Sequence, residues 1–200
     1  MKVIGITGGV GSGKSAILSA IKETYNCKVL LADEIANALK KKGEACYEPL
    51  VELLGEGILG KDGEIDNPKM AQVIFGDAKL LEKVNTIVHP RVYDYIVQTI
   101  ETIRTQGTID FVFVEAALFI EAGYQAFSDS VWYIQVPRTL RETRLVESRG
   151  YSLEKIVSIM NKQLQEETFL AACDVVIDNS GSMENTMKQV DETLRKYEIM

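Results

Sequence analysis

The stretch Gly8-Gly9-Val10-Gly11-Ser12-Gly13-Lys14-Ser15 constrains this chain more than any other. It fits G-x-x-x-x-G-K-[ST], follows the apolar run Val3 to Thr7, and opens a helical pattern running from Ser15 to Tyr25. In that setting the glycines let the backbone curl until successive N–H groups converge on a phosphate, and the helix N-terminus adds the positive end of its dipole. A Walker A loop is therefore predicted, with Gly9, Val10, Gly11, Ser12, Gly13, Lys14, Ser15 and Ala16 around the phosphates of a nucleotide. Lys14 would follow the β- and γ-phosphates, and the Ser15 hydroxyl would ligate Mg²⁺. The competing reading is a Gly-rich turn with no ligand, and the strand and helix on either side weigh against it.

Four more short apolar runs read as strands: Lys28 to Leu31, Asp110 to Glu115, Ser130 to Val136 and Asp174 to Ile177. Helical patterns separate them, and parallel neighbours need long crossovers that are usually helical. The expected fold is α/β: a three-layer P-loop NTPase fold with a five-stranded parallel sheet. A helix is expected from Asp33 to Leu39, which Asp33 can cap, and a final helix is expected to start at Ser182. Residues 40 to 105 read as almost wholly helical, with turns at Gly55 to Gly63 and at His89-Pro90. Residues 138 to 172 read as helical and charged. Both stretches are too long for simple crossovers, so they are expected to be functional attachments to one core.

Composition narrows the classes. Hydrophobic residues at 46% and charged residues at 26% describe a globular chain, which sets disorder aside. The longest nearly uncharged stretch, Phe111 to Ile120, is interrupted by Glu115 and is far short of the roughly 20 residues a membrane helix needs, so no membrane partner is expected. A net charge of −7 argues against a nucleic-acid partner, because phosphate backbones require clustered cations. Three widely spaced cysteines suit neither a disulfide framework nor a zinc site, and with a Gly-rich break soon after the N-terminus they suggest a cytoplasmic protein. The dense cationic feature is Arg138, Arg141, Arg144 and Arg149, the first three at helical i, i+3 spacing.

Other residues choose among P-loop classes. Asn161-Lys162-Gln163-Leu164 has Leu164 where a guanine-reading motif carries Asp, and Phe111-Val112-Phe113-Val114-Glu115 ends in one acid rather than a pair. A small-molecule kinase suits the length of 200 residues better than a GTPase or a motor ATPase. Asp33, about twenty residues past Lys14 and just after the second strand, is placed to accept a hydroxyl proton at the C-terminal ends of the strands. It is also able to cap the helix that follows, and the two roles are compatible.

Several segments together resemble the dephospho-CoA kinase family. They are the loop Thr7 to Ser15, Ala32-Asp33-Glu34-Ile35-Ala36, Val84-Asn85-Thr86-Ile87-Val88-His89-Pro90, Leu118-Phe119-Ile120-Glu121-Ala122-Gly123, and Asp174 to Ser182. The resemblance implies ATP-dependent phosphorylation of the ribose 3′-hydroxyl of dephospho-coenzyme A, the last step of coenzyme A synthesis. It further implies one kinase domain: a core of about 1–40, 106–137 and 173–200, an acceptor-binding helical subdomain of about 41–105, and a lid of about 138–172. ATP and Mg²⁺ are the expected cofactors, dephospho-CoA the partner, and the chain a monomer or weak homo-oligomer.

By the same resemblance Asp33 matches the catalytic base, and Lys14 and Ser15 match the phosphate and Mg²⁺ contacts. His89 lies in the region that lines the acceptor site, or else marks a helix break with its imidazole on a neighbouring carbonyl. Glu115 stands where the family usually has Asp, and is expected near Mg²⁺ or the acceptor. Asn179 lies in the turn near which the family holds adenine. Arg144 and Arg149 are the expected lid contacts. The lid also departs from the pattern: Ser148 and Ile159 stand where arginines are expected, Ala16 replaces a usual Thr, and Leu31 replaces an Asp. Those departures leave open another P-loop small-molecule or nucleotide kinase, or a nucleotide-binding protein with weakened catalysis.

Overall fold

The structure, a computed structural model, describes residues 1–198. They form two compact units, one made of Met1–Leu30 with the chain from Ile103 onward, the other of Leu31–Thr102.

The first unit is built on the sheet. Strands β1 (Lys2–Thr7), β2 (Cys27–Leu31), β3 (Phe111–Glu115), β4 (Ser130–Gln135) and β5 (Val175–Asp178) lie in the order β2-β3-β1-β4-β5. Each pairing with β1 is parallel, with Ile4 opposite Phe113 on one side and Ser130 on the other. The three central strands β1, β3 and β4 are short apolar runs because a parallel sheet is covered on both faces, and Val112, Phe113, Trp132 and Ile134 have no exposed surface. Burying each such side chain is worth about 1.5–3 kcal/mol. Two aspartates set where strands begin. Asp129, just before β4, accepts from Val3 N–H at 2.7 Å, and Asp174, just before β5, accepts from Val131 N–H at 2.7 Å. Each carboxylate holds the first amides of the neighbouring strand and so fixes its register.

Helix α1 (Lys14–Thr24) follows the loop after β1, and α9 (Met183–Glu198) closes the described chain. Ser182 caps α9 as expected, its hydroxyl accepting from Asn185 N–H at 3.3 Å. Between β4 and β5 lie three helices, α6 (Arg138–Arg149), α7 (Leu153–Met160) and α8 (Glu166–Ala172). Gly150, left-handed at φ 61°, ends α6, and the Ser152 hydroxyl caps α7.

In the second unit α2 (Ala32–Leu39), α3 (Tyr47–Leu54) and α4 (Asn67–Ile74) precede α5 (Ala78–Gln106), whose last residues enter the first unit. The turn expected at His89-Pro90 is absent: α5 runs for 29 residues with Pro90 inside it. Proline removes one helical hydrogen bond and crowds the carbonyl four residues back. Packing outweighs this here, because Val84, Val92, Ile96 and Ile100 form one buried stripe that continues across the proline. The Arg91 guanidinium also donates to the Ile87 carbonyl at 2.7 Å, one position beyond the carbonyl that Pro90 leaves without its donor. Among the described residues no helix is long and apolar enough to cross a membrane.

Candidate active site

The loop between β1 and α1 has the geometry its glycines allow. Gly13, at φ 86°, caps α1 in the left-handed region that only glycine enters without strain. A Cβ there would also overlap the Asn179 amide nitrogen. Inside the loop Ser12 N–H bonds the Gly9 carbonyl at 3.1 Å, and the Gly13 carbonyl accepts from Ala16 N–H at 3.1 Å. Lys14 arches back over the loop, its ammonium donating to the Gly8 carbonyl at 2.8 Å. The same ammonium pairs with Glu115 Oε1 at 3.6 Å, both side chains being largely buried. β3 is the strand beside β1, so its C-terminal residue is delivered directly to the P-loop lysine. β2 lies one strand farther out, so the ends of strands one and two are separated by the Glu115-bearing strand.

Asn179 is buried and fully engaged. Its amide donates to the Ser12 carbonyl at 2.7 Å, and its carboxamide oxygen accepts from the Thr186 hydroxyl at 2.9 Å. Its own carbonyl accepts from Arg144 Nη2 at 2.9 Å. One turn after β5 thus ties the loop, α6 and α9 together. The second lid arginine lies elsewhere: Arg149 is exposed, with its guanidinium 5.9 Å from the Tyr151 ring centroid.

Two residues that the motifs pass over reach the same loop. Gln163, between α7 and α8, accepts from Val10 N–H through Oε1 at 3.1 Å. The Arg141 guanidinium lies against Gly9, so close that a Cβ on Gly9 would overlap it. Val10 itself packs on the lid cluster of Leu145, Ile156 and Met160. The i, i+3 spacing of the arginines was the available signal for Arg141. Nothing local marked which of them faces the loop.

Asp33 and His89 belong to the second unit. Asp33 is exposed and stands in the first turn of α2, where the helix dipole favours a carboxylate. It is not the cap: Leu31 occupies that position, and no side chain bonds the free amides. Helix α2 starts one residue earlier than expected because Ala32 is drawn into the buried face. Lys40, at the other end of α2, is held below the usual lysine range chiefly by burial, with the opposing charges of Cys46 and Asp33 pulling it back up. Its ammonium donates to Asn67 Oδ1 at 2.7 Å. Lys40, the C-cap of α2, stands seven residues after Asp33, about two turns along the chain, and no motif marked it. His89 is half-buried within α5.

Ser15 and Ala16 are both exposed in the first turn of α1. Mg²⁺ prefers hard oxygen donors and takes one or two protein ligands with substrate phosphates. The Ser15 hydroxyl and the Glu115 carboxylate, which pairs with the adjoining Lys14, are donors of that kind. Among the described residues no group of three or more His, Cys, Asp or Glu could hold a metal by itself.

The sheet order, the Walker A loop after its central strand and the helices that close on it define a P-loop kinase fold. A crystal structure of a Thermus thermophilus protein matches it with a TM-score of 0.81 and 27% identity, covering 98% of this chain and 97% of that one. Curated dephospho-CoA kinases from Carboxydothermus hydrogenoformans and Aquifex aeolicus are 33% and 36% identical, covering 98% and 95% of this chain and 95% and 94% of theirs. The dephospho-CoA kinase family profile matches residues 2–185, and the chain belongs to that family.

Proposed function

We infer that the chain transfers the γ-phosphoryl group of ATP to the ribose 3′-hydroxyl of dephospho-coenzyme A, giving coenzyme A and ADP. The observation that carries this reading is the family match over residues 2–185, joined to a Walker A loop whose lysine is held between the Gly8 carbonyl and Glu115. Phosphoryl transfer needs little covalent help from protein, so catalysis reduces to in-line positioning and stabilisation of charge.

In this reading Lys14 leaves its loop carbonyl and follows the transferring phosphoryl, while the amides of Gly9 to Lys14 hold the β-phosphate. Ser15 and Glu115 are the residues that would hold Mg²⁺, which supplies positive charge between the phosphates when bound. Asp33 accepts the proton of the acceptor hydroxyl, and His89 lines the acceptor site within the helical unit. Arg144 and Arg149 contribute positive charge from the lid, and lid closure excludes water that would otherwise hydrolyse ATP. Asn179 keeps the loop in register beneath the nucleotide. The reading includes a cytoplasmic location, supported by three cysteines that are all free thiols.

The test is a coupled assay of ADP release with and without dephospho-CoA. Release that depends on dephospho-CoA, and is far weaker with nucleosides, nucleoside monophosphates or shikimate, is the expected result. Asp33→Asn should lower kcat by about 10²- to 10⁴-fold, the range for a general base, with ATP affinity unchanged. Turnover within a few-fold of the parent would sink the assignment of the base.

A further inference from the structure

Three of the four arginines on α6 have partners within the protein. Arg138 pairs with Glu142 at 2.9 Å, Arg144 donates to the Asn179 carbonyl at 2.9 Å, and Arg149 lies by the Tyr151 ring. Arg141 differs. Its Nε is buried without a hydrogen-bond partner. Its guanidinium carbon lies 2.9 Å, and Gln163 Oε1 lies 3.2 Å, from the point where a Gly9 Cβ would stand. Its carbonyl oxygen lies 2.9 Å from the corresponding point on Gly11. This turn of α6 therefore rests on the phosphate loop through both side chain and backbone.

A buried guanidinium N–H with nothing to bond is costly, and an anion within reach removes that cost. The loop beneath it is the part of the chain shaped to hold an anion. Helix geometry adds a second argument. Arg141 and Ser148 are seven residues apart, so they share one face of α6. The family resemblance calls for an arginine at the Ser148 position, and the Ser148 hydroxyl instead bonds the Arg144 carbonyl at 2.6 Å.

We propose that Arg141 is the phosphate-contacting arginine of this lid, its guanidinium meeting the terminal phosphate of ATP over Gly9. The proposal rests on the nucleotide reading above and names the lid residue that completes that site. Arginine suits the task, because its planar fork gives a phosphate two parallel donors that lysine cannot reproduce.

The test compares ATP and ADP binding by calorimetry, without acceptor, and steady-state kinetics with dephospho-CoA. Arg141→Ala should weaken ATP at least about tenfold while leaving ADP within about threefold, and should lower kcat about 10²- to 10³-fold. Arg141→Lys should recover part of the ATP affinity but little of the rate. Arg138→Ala, which alters an exposed pair on the same helix, should stay within about twofold. Equal weakening of ATP and ADP would assign Arg141 a purely structural role and overturn the proposal, as would ATP affinity and kcat within about threefold of the parent. If Arg141→Ala fails to fold, Arg141→Gln keeps much of the stem and is judged by the same ATP-to-ADP comparison. A parent chain that binds ATP yet does not phosphorylate dephospho-CoA would remove the acceptor assignment, while the ATP-to-ADP comparison would still decide Arg141.

Discussion

Asn179 shows how one side chain can hold a catalytic loop it never joins in sequence. Its amide and carbonyl oxygen connect Ser12, 167 positions away, to Thr186, and both bonds are buried. Removing the carboxamide leaves the Ser12 carbonyl without a donor in a place water does not reach, and each such orphan costs about 1–3 kcal/mol. Thr186 has fallback acceptors in the Asp178 and Ser182 carbonyls, both at 3.3 Å, so its share of the loss is smaller. Asn179→Ala should therefore lower unfolding free energy by about 2–3 kcal/mol, read from a urea titration. A loss below about 0.5 kcal/mol, the level of an ordinary surface change, would show that the loop does not depend on this brace. At this scale the sequence exposed Lys14, Ser15 and the loop glycines, because all of them lie within one octapeptide whose chemistry is local. It did not expose the brace, since an Asn in a turn has many uses and its partners are set by packing.

Among the elements, the strands were legible and one helix was not. Apolar runs bounded by Gly, Pro and Asp located all five strands to within a residue or two; in β1, β3 and β4 burial on both faces leaves little freedom of composition. Helix α5 went against its local signal at His89-Pro90. There the proline penalty of about 3 kcal/mol is real but smaller than the burial of a four-residue apolar stripe. Pro90→Ala should restore a donor to the Thr86 carbonyl and relieve the ring clash. Set against the entropy that alanine returns to the unfolded chain, the net gain expected is about 1–2 kcal/mol. A higher denaturant midpoint at unchanged m-value would confirm it. An unchanged or lower midpoint would mean that α5 has adapted to the proline and that the penalty has been absorbed.

For the whole molecule, an acidic chain with net charge −7 has to bind a polyanion. In the proposed site this falls to helix-terminal amides, one lysine already paired with Glu115, and arginines carried on α6. Binding to the native state alone stabilises by about 2.7 kcal/mol when ligand is at one hundred times its Kd. For a chain of this size that corresponds to a rise of about 5–11 °C in Tm. MgATP should produce such a shift in the parent chain, and Lys14→Ala should lose most of it relative to its own ligand-free Tm. An undiminished shift in Lys14→Ala would place the nucleotide's main contacts away from this loop.

The sequence by itself determined the phosphate-binding loop, the strand set, the family and the acid at the end of the third strand, because each depends on residues adjacent along the chain or on burial that leaves an apolar signature. Only the tertiary structure decided which strand stands beside β1, and hence that Glu115 reaches Lys14. It alone decided that Arg144 and Asn179 hold each other while Gln163 and Arg141 face the loop. Those relations join residues from 35 to more than 150 positions apart. Their cause is the parallel crossover, which brings the C-terminal ends of non-consecutive strands, and the helices that follow them, to one edge of the sheet.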